Sequence, residues 1–200
     1  MLPASYIALD IGGILFRPLW RQIGIKTTSQ LLEVTSLQFL ESFNRYKQSF
    51  YTGKINEDEF WQSVLKKLKL DLKLVATLKK IYRQHVSPIP ENFNQLDKLK
   101  VYFNLVSFNN SPKEWMDYRV RRYKLKKYFS KFVTSGYTGY IKPSLEAFSI
   151  LTKLTKTHRN KIIYLDDNVK YVQAAKIYSN IICIHYQNPQ DLSLEALRKF

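Results

Sequence analysis

The chain has 200 residues, of which 45% are hydrophobic and 14% aromatic, and its formal net charge is +16. This length and apolar content suffice for one domain with a buried core and a smaller inserted subdomain, and they exclude a disordered chain. The charge makes nucleic acid or a membrane surface a candidate partner. The single cysteine, Cys183, excludes an internal disulfide and favours a reducing compartment.

The sequence shows no segment that would direct the chain into a membrane. Asp10 and Arg17 interrupt the only long apolar run near the start, and neither terminus forms a strongly amphipathic cationic helix. The first predicted strand begins close to Met1, which leaves no room for a signal or transit peptide. We therefore expect no membrane contact, and a location in the cytoplasm or in an organelle interior such as the plastid stroma or mitochondrial matrix.

The first predicted element is the apolar strand within YIALDIGGILF, residues 6–16, which ends at Asp10 and is followed by Gly12 and Gly13. Ligands of open α/β sheets gather at the carboxyl ends of the strands, and glycines let a ligand approach the backbone there. Asp10 is therefore a candidate site residue. The alternative is that Asp-Ile-Gly-Gly is only a turn that closes a strand.

The region 17–100 has helical periodicity and no strand pattern. Asn56 and Glu59 have the spacing of a capping box at the start of one of its helices. The segment SPIPE, residues 87–91, is the predicted hinge by which the chain returns. Predicted helices in this region span 29–46, 57–68 and 72–83. We interpret the whole region as a helical insertion after the first strand.

From residue 101 onward, strands and helices alternate, which predicts a parallel sheet with helices on both faces. The predicted strands span 101–107, 132–133, 162–165 and 181–185, and the predicted helices span 112–127, 143 to about 156, and 170–177. The predicted fold class is α/β, a Rossmann-like parallel sheet with an inserted helical subdomain. Residues 1–16 and 101–200 would form the sheet domain, and 17–100 the insertion and the return hinge.

Polar side chains follow successive predicted strands, where parallel strands bring them to one edge of the sheet. Carboxylates together with a backbone carbonyl form the hard oxygen site that Mg²⁺ prefers, and a lysine with a hydroxyl would hold the charge of a phosphoryl group. Asp10 would then be a nucleophile that forms an aspartyl-phosphate. The predicted site residues besides Asp10 are Ser107, Asn109, Lys142, Asp166 and Asp167.

The densest basic stretch, residues 113–131, alternates arginines and lysines with tyrosines. Such a stretch can contact phosphates by charge and bases by stacking, so nucleic-acid binding is one hypothesis. The favoured interpretation is a solvated helix whose aromatic residues face inward, because Trp115, Tyr118, Arg122 and Leu125 follow helical spacing and no known nucleic-acid motif is present.

Four segments in order resemble the motifs of the haloacid dehalogenase (HAD) superfamily: LDIGGILF, LVSFNNS, SGYTGYIKPSLEAF and YLDDNVKYVQAA. The segment FYTGKINEDEFWQSVLKKL is similar to the helical cap of the epoxide hydrolase amino-terminal phosphatase domain and of sugar-phosphate phosphatases. The resemblance covers nearly the whole chain. It implies a HAD core with a helical cap, Asp10 as nucleophile, Lys142 as the motif lysine, and Mg²⁺ held by Asp10, the Gly12 carbonyl and Asp166, with Asp167 beside them.

The sequence departs from the resemblance at two points. Most phosphatases of this superfamily have a general acid two residues after the nucleophile, where this chain has Gly12, and losing such a group removes about 10² to 10⁴ in rate. An Asp-x-Gly-Gly opening occurs in one branch of the superfamily, so Gly12 alone does not predict an inactive protein. The second motif usually has a serine followed by an asparagine, and LVSFNNS has one residue too many for this pattern. Ser107 is therefore either the phosphate-binding hydroxyl or is displaced from that position by Phe108. We expect Ser107, because the predicted strand ends there.

Four functions are consistent with these residues. We expect a Mg²⁺-dependent phosphatase that acts on a small phosphorylated metabolite, as a monomer or homodimer. A 2-haloacid dehalogenase would use Asp10 without a metal and would not need the Asp166–Asp167 pair. A catalytically weak or silent HAD-like domain with a basic surface for RNA would explain Gly12 and the charge, and a membrane-surface protein is the least favoured.

Overall fold

The computed structural model describes residues 5–155, 161–179 and 181–200. Within these residues, five parallel strands form one sheet in the order β5-β4-β1-β6-β7, and two short antiparallel strands, β2 and β3, form a separate ribbon. The α/β fold class is therefore confirmed. The strands are β1 (Tyr6–Leu9), β2 (Phe16–Arg17), β3 (Ser87–Pro88), β4 (Asn104–Asn109), β5 (Phe129–Thr134), β6 (Ile162–Asp166) and β7 (Ile182–His185).

Helices cover both faces of the sheet and build the insertion. A π-helical segment, Trp20–Gly24, leads into the first α-helix. The helices are α1 (Ile25–Leu31), α2 (Ser36–Tyr51), α3 (Glu57–Leu68), α4 (Val75–Gln84), α5 (Pro90–Leu99), α6 (Lys113–Arg122), α7 (Ser135–Thr138), α8 (Leu145–Thr155), α9 (Val169–Ser179) and α10 (Leu194–Leu197). The predicted end of one helix at about residue 156 lies outside the described residues. In the part of the chain that is described, no helix is both long and apolar enough to span a membrane.

The central strands are buried on both faces, which explains why their sequences are continuous apolar runs rather than alternating ones. Ile7 and Leu9 of β1 point to the face that carries Leu96 and Leu99 of α5. Ala8 points to the opposite face, where side chains of α8 and α9 pack against the sheet. Strand β1 lies between β4 and β6 and pairs with both in parallel, so its carboxyl end is the middle of the sheet edge.

The helical insertion begins and ends at the β2–β3 ribbon, in which Phe16 pairs with Pro88 and Arg17 with Ser87. We call residues 18–86 the cap. The capping box predicted at Asn56 is present, since its side chain accepts the Glu59 N–H and Glu59 accepts the Asn56 N–H. The predicted helix 29–46 is instead two helices, because a second capping box at Thr35 starts α2.

The chain leaves the cap through β3, which lies within the predicted hinge 87–91, and joins the sheet domain before residue 101. Helix α5 lies within the predicted insertion, but it packs on the sheet domain against the carboxyl-terminal helices. Asn92 of α5 is buried and donates hydrogen bonds to the Ile14 carbonyl and to the Tyr186 hydroxyl, both outside the cap. The sequence analysis predicted no separate helix over residues 90–99, and nothing in the sequence indicated that this segment would pack on the sheet domain.

Candidate active site

Three neighbouring strands bring acidic and amide side chains to one edge of the sheet. Asp10 follows β1, Asn109 ends β4 and Asp166 ends β6. The parallel pairing of β1 with both neighbours places these three residues side by side. Lys142 reaches the same edge from the loop before α8, so four of the predicted site residues converge where the sequence predicted that they would.

The Lys142 ammonium group is the centre of this cluster. It is 1% exposed and donates to Asp10 Oδ1 at 3.0 Å, to Asp166 Oδ2 at 2.6 Å and to the Phe108 carbonyl at 2.7 Å. An ammonium group has three donors, and here all three are used. Asn110 fixes the backbone of Lys142 by donating to its carbonyl at 2.8 Å and accepting its N–H at 2.7 Å. Lys142 therefore orients the Asp10 carboxylate and partly neutralises its charge.

The two carboxylates of the Asp166–Asp167 pair have different surroundings. Asp166 is fully buried, and both of its oxygens accept hydrogen bonds: Oδ2 from Lys142 and from the Tyr164 hydroxyl, and Oδ1 from the Asn168 N–H. Asp167 is exposed and lines the cleft in front of Asp10. Asp10 and Asp167 are therefore the carboxylates that face the cleft, whereas both oxygens of Asp166, which the resemblance implied as a metal ligand, accept hydrogen bonds from the protein.

A metal ion fits the charge of this cluster. Carboxylate oxygens of Asp10, Asp166 and Asp167 lie within 4.8 Å of one another, and among the described residues Lys142 is the cation that forms ion pairs with this group. Burial raises the pKa of Asp10 to about 7, and the charges of Asp166 and Asp167 add to this while Lys142 opposes it. Three carboxylates around one ammonium leave an excess of negative charge, which a divalent cation with oxygen ligands would compensate.

The two glycines after Asp10 have different roles. Gly13 has φ +76°, and a Cβ built there would lie 2.0 Å from Asp167 Oδ2, so only glycine allows this carboxylate to approach the loop. A Cβ at Gly12 would meet Asp10 Oδ2 at 3.6 Å, an ordinary contact. Close approach explains Gly13, whereas the backbone does not require glycine at position 12.

Ser107 does not lie at the site. The sequence predicted that the second core strand ends at Ser107, but β4 continues to Asn109 and pairs there with Thr134. Ser107 is fully buried in mid-strand opposite Leu9, and its hydroxyl has no hydrogen-bond partner. Phe108 does not take its place, because its side chain packs in the core against Phe148. The residues that reach the cleft from this segment are Asn109, Asn110 and Ser111.

The cleft between the sheet edge and the cap has a volume of about 700 Å³. Trp115 of α6 forms part of its wall and stacks on Tyr82 of the cap, with the ring centroids 3.5 Å apart. The cap contributes a basic and aromatic surface that faces Asp10 and Asp167. Residues of this surface and its surroundings include Arg17, Trp20, Arg21, Asn44, Lys47, Gln48, Tyr51, Tyr82, His85, Arg119 and Tyr171.

Sequence reasoning missed several residues of the site. Asn110 was visible in LVSFNNS as the residue after Asn109, but its contact with the Lys142 backbone depends on a loop 32 residues away. Tyr164 was visible only as an apolar residue of β6. Arg119 was visible only as one of the cations of the basic stretch 113–131, and Arg21 and Lys47 had no local signal, because the elements that carry these residues meet only when the cap packs on the sheet domain.

These features define a Rossmann-like α/β protein with a helical cap over a carboxylate–lysine cluster. The chain belongs to the family of haloacid dehalogenase-like hydrolases, whose model matches residues 21–183. Asp10 lies before the matched residues, so its assignment depends on the geometry of the site. None of the curated proteins compared matches the sequence.

Solved structures of this family share the fold. A HAD family enzyme of Bacteroides thetaiotaomicron, crystallised with magnesium and inorganic phosphate, is 16% identical with a TM-score of 0.72, over 92% of this chain and 94% of that one. A HAD-like hydrolase of Porphyromonas gingivalis is 18% identical with a TM-score of 0.70, over 92% of both chains. A 2-haloacid dehalogenase of Pseudomonas syringae is 16% identical with a TM-score of 0.69, over 92% of this chain and 86% of that one.

Proposed function

We propose that the protein is a Mg²⁺-dependent phosphatase that hydrolyses a small phosphorylated metabolite through an aspartyl-phosphate on Asp10. The observation that carries this proposal is the position of Asp10 at the cleft, with one carboxylate oxygen 3.0 Å from the Lys142 ammonium and Asp167 beside it. The magnesium complex of the Bacteroides thetaiotaomicron enzyme supports the choice of metal.

The reaction begins when a carboxylate oxygen of Asp10 attacks the phosphorus atom of the ester. The bond between phosphorus and the ester oxygen breaks, and the leaving alkoxide takes a proton from water. A water molecule then attacks the phosphorus of the aspartyl-phosphate, which releases inorganic phosphate and restores the Asp10 carboxylate. Lys142 keeps Asp10 oriented through both steps, and the cap limits the access of other water molecules.

Asp10, Asp167 and the backbone carbonyl of Gly12 are the groups that would hold Mg²⁺, which when bound offsets the negative charge on the phosphoryl oxygens. Asn109 takes the role that the sequence assigned to Ser107. It lines the cleft at the end of β4, with its Oδ1 accepting from Thr134 and its Nδ2 3.7 Å from the sulfur of the buried Met116.

The glycine at position 12 leads to a specific prediction of how the rate depends on the leaving group. Without a carboxylic acid at that position, the rate should depend strongly on how well the leaving group departs unprotonated. We expect faster hydrolysis of aryl than of alkyl phosphates. Because a side chain at position 12 meets only ordinary contacts, Gly12→Asp should reduce this difference by speeding the alkyl esters.

The experiment that tests the function measures phosphate release from a panel of small phosphate esters, with Mg²⁺ or with EDTA. Release that requires Mg²⁺ and is lost in Asp10→Asn supports the proposal. The exposed carboxylate Asp58, on the far part of the cap, gives a matched control in Asp58→Asn, which should hydrolyse the esters normally. No release from any ester by the folded wild-type protein would refute it.

Two other functions give different results in the same preparation. A 2-haloacid dehalogenase would release halide without metal, but the excess carboxylates at Asp166 and Asp167 favour a cation site. Binding of RNA is the second candidate, because Arg121, Arg122 and Lys126 are exposed. It predicts a complex that weakens steeply with salt. The compartment and the oligomeric state stay predictions.

A further inference from the structure

One face of helix α2 lines the cleft that also contains the catalytic carboxylates. Asn44, Lys47, Gln48 and Tyr51 all line the cleft, and their spacing of three and four residues places them along one stripe of the helix. The remainder of α2 packs into the cap through phenylalanines such as Phe43 and Phe50. This stripe is therefore a polar surface directed at whatever occupies the cleft beyond the phosphoryl group.

Three cations of the cleft converge around the Tyr51 side chain. Arg21 comes from the π-helical segment, Lys47 from α2 and Arg119 from α6, and all three line the cleft. The Lys47 ammonium lies 5.4 Å from the centre of the Tyr51 ring. The charges of Arg21 and Arg119 both act on the Tyr51 hydroxyl and oppose the rise in its pKa that burial causes. We call these three residues the cation cluster.

The cation cluster has no acidic partner. Across residues 5–155, 161–179 and 181–200, no carboxylate oxygen lies within 4.0 Å of a charged nitrogen of Arg21, Lys47 or Arg119. The carboxylates that line the cleft, Asp10 and Asp167, belong to the catalytic edge. Burial lowers the pKa of Lys47, and the neighbouring charge of Arg21 lowers it further.

Arg119 is held in position by neutral groups. Its Nη2 donates to the Tyr82 hydroxyl at 2.7 Å, and its Nη1 lies 3.4 Å from the Ser111 hydroxyl. Its guanidinium lies over the Phe16 ring, 5.6 Å from the centre. Its Nε is buried without a partner. A guanidinium fixed in this way and left without a counter-ion is suited to bind an anion.

Building on the proposed phosphatase activity, we propose that the substrate carries a second anionic group on its leaving-group side, a carboxylate or a further phosphate, which the cation cluster binds. The stripe of α2 and the guanidinium of Arg119 would hold this group while Asp10, which lines the same cleft, reaches the phosphoryl group. A neutral sugar or alcohol in the same place would leave three cations without a partner.

The test measures binding of phosphonates, whose carbon–phosphorus bond is not hydrolysed, so that the readout does not depend on turnover. Calorimetry with Mg²⁺ compares 3-phosphonopropionate with 3-hydroxypropylphosphonate, which has a hydroxyl in place of the carboxylate. Butane-1,4-diphosphonate tests the second phosphate. We expect the charged ligands to bind the wild-type protein roughly ten- to a hundredfold more tightly than the neutral one. The ligand with the larger ratio identifies the second anion as carboxylate or phosphate.

Variants assign this preference to the cation cluster. In Lys47→Gln and in Arg21→Gln, the ratio of the affinities for charged and neutral phosphonates should fall towards one. Arg45→Gln removes an exposed cation from the same helix outside the cleft and should keep the wild-type ratio. Equal affinities for charged and neutral phosphonates, or a ratio that survives in both cluster variants, would overturn the proposal.

These results separate the inference from the phosphatase proposal. If the protein releases no phosphate from any ester but prefers the charged phosphonates through Lys47 and Arg21, the second-anion site stands and the assigned chemistry fails. If it hydrolyses phenyl phosphates with Mg²⁺ but binds charged and neutral phosphonates equally, the chemistry stands and the second-anion site is wrong.

Discussion

The molecule contains two buried carboxylate networks that differ in their charge balance. At the catalytic edge, Lys142 is shared by Asp10 and Asp166 while Asp167 stands beside them. Between the cap and the sheet domain, Glu57 is 2% exposed and forms a bidentate ion pair with Arg83. The first network has an excess of negative charge, and the second has none.

The second network is also complete in its hydrogen bonds. Glu57 Oε1 accepts the indole N–H of Trp115, from the sheet domain, at 2.8 Å and that of Trp61, from the cap, at 3.4 Å. A buried carboxylate that is neutralised by one guanidinium and satisfied by indole donors needs no ligand. The comparison of the two networks indicates that uncompensated charge, rather than burial of charge, distinguishes a ligand-binding site from a contact that holds two parts of the fold together.

The largest effect should follow from Lys142→Met, which breaks the first network. Asp10 and Asp166 would lose the shared ammonium, which costs about 3 to 5 kcal/mol of unfolding free energy. Activity should fall by about 10² to 10³, because the nucleophile loses the group that orients and neutralises it. Urea unfolding and phosphate release measure both quantities.

The exposed Lys153 of α8 offers a control, since Lys153→Met removes a cation that lies away from the site. It should leave stability and activity close to wild type. A Lys142→Met protein that hydrolyses esters at the wild-type rate would contradict the role given to this lysine.

Glu57→Gln tests the second network. The amide can still accept from Trp115, but the Arg83 guanidinium loses its counter-charge, so we expect a loss of about 2 to 3 kcal/mol in unfolding free energy. In a domain of this size this corresponds to a fall in Tm of roughly 4 to 12 °C. The rate of the folded protein should change little, which calorimetry and assays below the transition can establish. A large loss of activity without a loss of stability would show that Glu57 acts on the site.

The sequence predicted most of the sheet because its strands are apolar runs separated by clear helical segments. It placed Asp10, Lys142 and Asp166 at one edge, since parallel strands bring their carboxyl ends together. The predicted strand boundaries were wrong where a boundary depends on tertiary packing. Val101 and Tyr102 read as strand residues but are 71% and 54% exposed, and β4 begins two residues later. This shift carried the strand end from Ser107 to Asn109.

Some predicted helix ends were wrong because local backbone conformation, which the apolar pattern does not show, ends the helix. The predicted helix 112–127 ends at Arg122, because Lys124 adopts a left-handed backbone with φ +51° and a short 3-10 turn follows. Charged surface residues occur both in helices and in turns, so the sequence here does not show where the helix ends. The cation cluster was beyond local reasoning altogether, since its members are separated by up to 98 residues (119 − 21) and meet across the cleft.

Adding Mg²⁺ should remove the excess charge of the first network and leave the second unchanged. Burial raises the pKa of Asp10 to about 7 and also raises that of Asp167, so the folded protein keeps these protons to higher pH than the unfolded chain does. Without metal, these groups therefore make stability decrease as the pH rises from about 4 to about 7.

At pH 7.5, Mg²⁺ at a hundred times its Kd should stabilise the protein by about 2.7 kcal/mol. Thermal unfolding with and without EDTA measures this shift. Asp167→Asn should lose most of it, whereas Glu57→Gln should keep it. An equal Mg²⁺ effect in Asp167→Asn and in the wild type would place the cation elsewhere.

The smallest effect should come from Tyr164→Phe, which removes one of the donors to Asp166 and leaves the charges of the first network intact. The buried hydroxyl donates to the same Asp166 oxygen as Lys142 does. Its loss should cost about 1 kcal/mol of unfolding free energy and slow turnover by about tenfold or less. Tyr140→Phe, at a tyrosine that is 46% exposed, is the matched control. If Tyr164→Phe behaves like that control, the Lys142 contact alone positions Asp166. If the rate falls while Mg²⁺ still stabilises the variant, the hydroxyl acts through Asp166 on Lys142 and Asp10 rather than on the metal.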